Sequence, residues 1–130
     1  RHFADICELW LEVVPNDPLW NRAEISIAEK IRFQPDLFIV AEREGSVIGT
    51  AMAGYDGHRG WLYSIAVRPD ANRLGIGSSL LAEAERRLGA LGCGKINVQI
   101  REGNESVSAF YIRHGYQVER RLSMAKRLPL

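Results

Sequence analysis

The chain has 130 residues, 46% hydrophobic and 25% charged, with 17 Lys and Arg against 16 Asp and Glu for a formal net charge of +1. That length buries one sizeable core and fits a single domain over residues 1–130, and the near-neutral balance supplies no general field for nucleic acid or an acidic membrane surface. Cys7 and Cys93 stand outside any CxxC or Cys/His spacing, no run approaches the roughly 20 apolar residues that span a bilayer, and no leader pattern is present, so the composition reads as a cytoplasmic protein with reduced thiols and no metal.

In chain order, Phe3, Ile6, Cys7, Leu9, Trp10 and Val13 recur at helical spacing until Pro15-Asn-Asp-Pro18 stops the pattern. A second helical stretch, about Ala23 to Phe33, ends where Pro35 biases the preceding residue out of helix. Leu37 to Ala41 and Val47 to Ala53, separated by Glu44-Gly45, read as a strand hairpin. The glycine-punctuated turn Gly54-Tyr-Asp-Gly-His-Arg-Gly60 leads into a strand from Trp61 to Val67. Gly77 to Leu91 switches to helical period, with Leu80, Leu81, Ala84 and Leu88 on one face, Glu83 and Arg87 paired at i,i+4, and Gly92 as the stop. A strand from Lys95 to Ile100, a helix capped by Asn104 and running through His114, and a last strand from Tyr116 to about Lys126 complete the chain. The order implies an α/β (α+β) fold. A meander is followed by a strand–helix–strand crossover, whose parallel connection must be right-handed, which makes a mixed sheet with helices on its faces.

The segment Ile65-Ala-Val-Arg-Pro-Asp-Ala-Asn-Arg-Leu-Gly-Ile-Gly-Ser-Ser-Leu-Leu81 carries a strand through a turn into a helix that opens with glycines. Gly75 and Gly77 let backbone approach a ligand, and the unbonded N–H groups of a first helical turn favour an anion such as phosphate. A Walker A loop needs Lys then Ser or Thr after its last glycine, whereas Ser78-Ser79-Leu80 follows Gly77; a dinucleotide fingerprint needs glycine where Leu80 stands. The two glycines by themselves fit a ligand-free strand–helix junction as well as a phosphate site.

The frame Asn72-Arg-Leu-Gly75-Ile-Gly77 resembles motif A of the GNAT N-acetyltransferases, with Asn72 where that family usually has Gln or Arg and Arg73 beside it. Val67-Arg-Pro-Asp70 fits the same pattern. Asn104 to Tyr116, with its Asn, Ala-Phe-Tyr and closing Gly-Tyr, resembles motif B, and Gly54 to Gly60 looks like the YpeA group of bacterial members. The resemblance covers nearly the whole chain, and it implies a mixed, mostly antiparallel sheet with a central splayed parallel pair, and a first family strand that would fall before residue 1. It further implies acetyl-CoA as co-substrate. Ile65, Ala66 and Val67 would line the pantetheine arm, the amides of Asn72, Arg73, Leu74, Gly75, Ile76, Gly77, Ser78 and Ser79 would surround the pyrophosphate, and Asn104 would meet the cofactor beyond the wedge. A homodimer is common among proteins of this kind.

An amine of pKa about 10.4 is neutral in roughly one of several thousand molecules at pH 7, so direct attack on a thioester requires removal of a proton. No glutamate lies in Trp61–Val67, which leaves Asp56, His58, or a water held by Tyr63 and Ser64 as base or acceptor contacts. Tyr111 is the expected acid for the departing thiolate, although Val107, Phe110, Tyr111 and His114 also form a stripe at core spacing. The expected function is transfer of acetyl from acetyl-CoA to a primary amine; the alternatives are a non-catalytic acyl-CoA-binding or regulatory module and a structural interaction domain that binds no coenzyme A.

Overall fold

The computed structural model describes residues 3–13, 29, 30 and 32–129, with the side chains of 11–13 and 72–74 outside the description. The chain forms two compact units, Arg1–Gln99 and Ile100–Leu130. The first unit holds helix α1 (Phe3–Val13), strands β1 (Phe38–Arg43), β2 (Ser46–Tyr55), β3 (Gly60–Val67) and β4 (Ile96–Val98), and helix α2 (Ile76–Ala90). The second holds helix α3 (Glu105–Arg113).

The sheet runs β1-β2-β3-β4, with β1/β2 and β2/β3 antiparallel and β3/β4 parallel. Glu44 and Gly45 both take positive φ, 53° and 81°, which gives the β1–β2 turn the twist that suits a hairpin. Alternation along β2 then divides the core between two faces. Thr50 and Met52 face α1: Trp10 bonds Thr50, and Met52 packs with Ile6, Leu9, Trp10 and Ala66. Gly49 faces α2, where a Cβ would come within 3.0 Å of both Ile76 and Leu80.

Helix α2 buries Leu80, Leu81, Ala84 and Leu88, the face expected from its period. Each leucine contributes on the order of 1.5–3 kcal/mol by leaving water. Glu83 accepts from Arg87 Nε at 2.7 Å, and also from Arg86 at 2.9 and 2.6 Å. The two guanidinium hydrogen bonds, Arg86 first, hold the Glu83 carboxyl down at about 2. Arg87 Nη1 donates to the Asp36 carbonyl at 2.7 Å, which ties the end of α2 to the 3₁₀ turn Pro35–Leu37 ahead of β1.

Several expectations are corrected. Strand β2 extends to Tyr55 and β3 begins at Gly60, so the turn shrinks to 56–59 and Gly54 becomes a strand residue. Strand β4 covers three residues instead of the six from Lys95 to Ile100, because its ladder with β3 spans only Gly60–Leu62. No ladder forms over Tyr116 to Lys126; Val118, Leu122 and Met124 are exposed at 81%, 93% and 90%. Alternation alone does not make a strand, since the backbone needs a partner edge to bond. Of the helix expected over Ala23 to Phe33, residues 29, 30 and 32 are helical; the rest lies largely outside the described residues, as does Trp20.

Candidate functional site

Strand β3 is bonded on one side to β2 along Gly60–Val67, with Tyr63 as the one extra residue between the pairs Met52↔Ser64 and Ala53↔Leu62. On its other side the parallel ladder to β4 ends at Leu62↔Val98. From Tyr63 onward, through Ile65, Ala66 and Val67, β3 therefore leaves its β4-side edge outside that ladder. A bulge of this kind bends the strand and re-aims its side chains. Tyr63 and Ser64 consequently follow one another on the α1 face.

The chain then turns at Arg68, whose N–H donates to Ile48 O at 2.8 Å and whose carbonyl accepts from Ala71 N at 2.9 Å. A 3₁₀ turn over Pro69–Leu74 delivers it to Gly75, in the left-handed region at φ 73°, ψ 17°. Gly75 caps α2 without a side chain, and the N–H of Ser79 bonds back to Gly75 O at 3.1 Å. The amides of Ile76 and Gly77 stand in the first turn, at the positive end of a 15-residue helix. An arrangement of this type binds anions. The side chains of Asn72, Arg73 and Leu74 lie outside the described residues.

At the other end of β3, Asp56 Oδ1 accepts the backbone N–H of Arg59 at 2.7 Å and of His58 at 2.8 Å. These bonds, Arg59's the larger, hold the carboxyl below its usual range. Asp56 is thereby a turn-former and a weak base. His58 is exposed, and its described role is that amide donation. Tyr63, 59% exposed, lies over Gly54; burial of part of its ring, and then the Asp56 charge, raise its phenol pKa. Ser64 Oγ is buried with no hydrogen-bond partner among the described residues, a state that costs about 1–3 kcal/mol unless a ligand or water fills it.

Tyr111 and Asn104 belong to the second unit. Tyr111 is buried, edge-on to Phe110 at 5.2 Å and to Tyr116 at 5.3 Å, and burial pushes its phenol up to about 12. In the stripe of Val107, Phe110, Tyr111 and His114 it is the one fully buried member. Asn104 precedes α3 as expected but makes no side-chain cap; its Oδ1 accepts from Ser106 Oγ at 3.4 Å instead.

A cavity of about 440 Å³ lined by Gln34, Leu37, Tyr55, Arg87 and Ala90 lies at the opposite end of α2 from Gly75 and contains none of the expected site residues. No group of three or more His, Cys, Asp or Glu among the described residues is placed to hold a metal, and no described helix is long and apolar enough to cross a membrane. The period-2 pattern did not single out Gly54 as the residue beneath the Tyr63 ring. Only the register, with its extra residue at Tyr63, brings the two together.

Residues 3–116 match the family model described as acetyltransferase (GNAT) family. An acetyltransferase of Yersinia enterocolitica is 37% identical over 126 residues, 97% of this chain and 89% of its own length. One from Pectobacterium atrosepticum is 41% identical over 109 residues, 84% of this chain and 77% of its own. Among solved structures, the aminoglycoside N-acetyltransferase AAC(6')-Iy, in complex with a bisubstrate analogue of coenzyme A, aligns with TM-score 0.76 at 23% identity over 98% of this chain and 92% of that one. A protein of Pyrococcus horikoshii aligns with TM-score 0.80 at 17% identity over 94% and 85%. These two likenesses speak for the fold, and with the family match and the relatives they lead to one conclusion: the chain belongs to the acetyltransferase (GNAT) family.

Proposed function

We propose that residues 1–130 act as one acetyltransferase domain that moves the acetyl group of acetyl-CoA to a primary amine by direct attack. The observation that carries this reading is the continuity of two features on one stretch of chain. The β3 edge is released from its ladder after Leu62, and the same strand runs on into the glycine-capped start of α2. An extended acyl arm adds to an open strand edge through main-chain bonds, here at Ile65 and Val67, and a diphosphate suits the amides that open a helix.

In the reaction a C–N bond forms and the C–S bond breaks; one proton of the ammonium must leave before attack, and a second leaves the nitrogen to solvent as the amide forms. Asp56, with its carboxyl held low by two amides, is a poor acceptor for the first proton. A water on the Ser64 hydroxyl is the better route, since that oxygen has an open hydrogen-bonding capacity among the described residues. Tyr111 is the donor toward the departing sulfur. With its phenol near 12 and a thiol reference near 8.5, complete proton transfer is uphill by about 3.5 pK units. Tyr111 therefore acts as a hydrogen-bond donor that stays protonated throughout the working range, and solvent supplies the final proton.

Calorimetry with acetyl-CoA tests the reading, comparing wild type with Gly75→Glu and Gly77→Glu, whose carboxylates repel a diphosphate. Binding by the wild type and its loss in both folded variants support the site. Absence of wild-type binding overturns it. A second reading, a non-catalytic acyl-CoA-binding module, is favoured by the engagement of Asp56 and the lack of a glutamate in β3. Tight binding with no acetyl transfer to any of a panel of amines would select that alternative.

A further inference from the structure

Gly54 pairs with Trp61 inside the β2–β3 ladder, two residues beyond Met52 on the face that packs α1. Its φ is outside the positive range, so the backbone itself makes no demand for glycine, and glycine within a strand is otherwise destabilising. The space explains it. A Cβ at Gly54 would lie 2.8 Å from Tyr63 Cε2 and 3.1 Å from the Tyr63 hydroxyl, so the phenol edge of that ring rests on the bare α-carbon.

Tyr63 is 59% exposed, so much of the ring beyond that edge opens to solvent. Its hydroxyl makes no hydrogen bond among the described residues, which leaves the Gly54 floor and the bulge to set the ring's direction. Two positions after Gly54, the Asp56 carboxylate is fixed by the Arg59 and His58 amides. The Asp56 charge is near enough to Tyr63 to contribute to the raised phenol pKa. An open aromatic face beside a held carboxylate attracts a cation through both the ring quadrupole and the charge.

We propose that Gly54 is a positioning residue for the acceptor, seating the Tyr63 ring so that its open face and the Asp56 carboxylate together receive a cationic alkylamine in preference to a neutral aromatic amine. This deepens the acetyltransferase reading of the site and rests on it. The ammonium form binds, and the small neutral fraction in the same place attacks.

The test uses the full chain with ¹³C-labelled tyrosine rings, the Tyr63 signals assigned by Tyr63→Leu, titrated at neutral pH with n-butylammonium chloride and separately with aniline. Saturable shifts of the Tyr63 signals with n-butylammonium and none with aniline are expected. Gly54→Ala and Asp56→Asn should each weaken n-butylammonium about tenfold, while calorimetric acetyl-CoA affinity stays within about twofold of wild type. If Gly54→Ala alone does not fold, Gly54→Ala/Tyr63→Leu should fold, because the obstructing ring is gone, and failure of that pair overturns the seat. Equal response to aniline, unchanged n-butylammonium affinity in Gly54→Ala, or a parallel loss of acetyl-CoA affinity in that variant also overturns the proposal. Wild-type protein that binds n-butylammonium but not acetyl-CoA keeps the Gly54 seat and sinks the co-substrate reading alone.

Discussion

Trp10 donates its indole N–H to the Thr50 hydroxyl across 3.0 Å, linking α1 to the middle of β2 over 40 residues of sequence. Both are buried, at 3% and 0% exposure, so neither has water to fall back on. Thr50→Val keeps the shape and strands the donor, and should lower stability by about 1–3 kcal/mol. Urea denaturation measures it. A midpoint unchanged from wild type would mean that the bond contributes nothing net.

Gly75 holds φ 73° with nothing within 4 Å of where a Cβ would stand. Gly75→Ala therefore meets a backbone penalty and no steric one, about 1–2 kcal/mol. Gly75→Asn should lose less, because asparagine tolerates the left-handed region. Equal losses for the two variants would show that the helix start adapts its backbone instead.

At Gly60 the constraint is a neighbour. A Cβ there would lie 2.6 Å from Cys93 Sγ and 3.4 Å from both Leu88 methyl carbons. Gly60→Ala should cost about 1–3 kcal/mol by overpacking, and Cys93→Ala in the same chain should recover much of it. Additive losses in thermal denaturation would count against the contact.

The Tyr111 phenol, near 12 in the folded chain and near 10 unfolded, links stability to alkaline pH. The folded state holds the proton more tightly, so this contribution is fully present below pH 10 and is lost as pH rises from about 10 to 12. It amounts to roughly 2–3 kcal/mol. Tyr111→Phe should unfold with less dependence on pH over that window. It should also lower acetyl transfer while leaving acetyl-CoA affinity unchanged. Identical alkaline profiles for variant and wild type would remove the assigned burial effect.

Much of this architecture is legible in the residues because its determinants are local. The helical period of Leu80, Leu81, Ala84 and Leu88 marks the buried face of α2, and Glu44-Gly45 marks the hairpin turn. The glycines of Asn72-Arg-Leu-Gly75-Ile-Gly77 mark the junction where α2 starts and carry the family resemblance. Pairing is a different matter. Tyr116 to Lys126 alternates like a strand yet forms no ladder, since period 2 specifies which side chains share a face and says nothing about a partner edge.

The sequence by itself thus determined the order of α1, β1, β2, β3, α2, β4 and α3, the α2 core face and the glycine-opened loop, each set by residues within a few positions of one another. Only the tertiary structure decided that Tyr63 is the extra residue of a bulge, that it lies on Gly54, and that the β3–β4 ladder stops at Leu62. Those features depend on which residue of one strand faces which residue of another. A shift of one position exchanges the two faces of a strand, and that choice is made by the packing of both sheet faces at once.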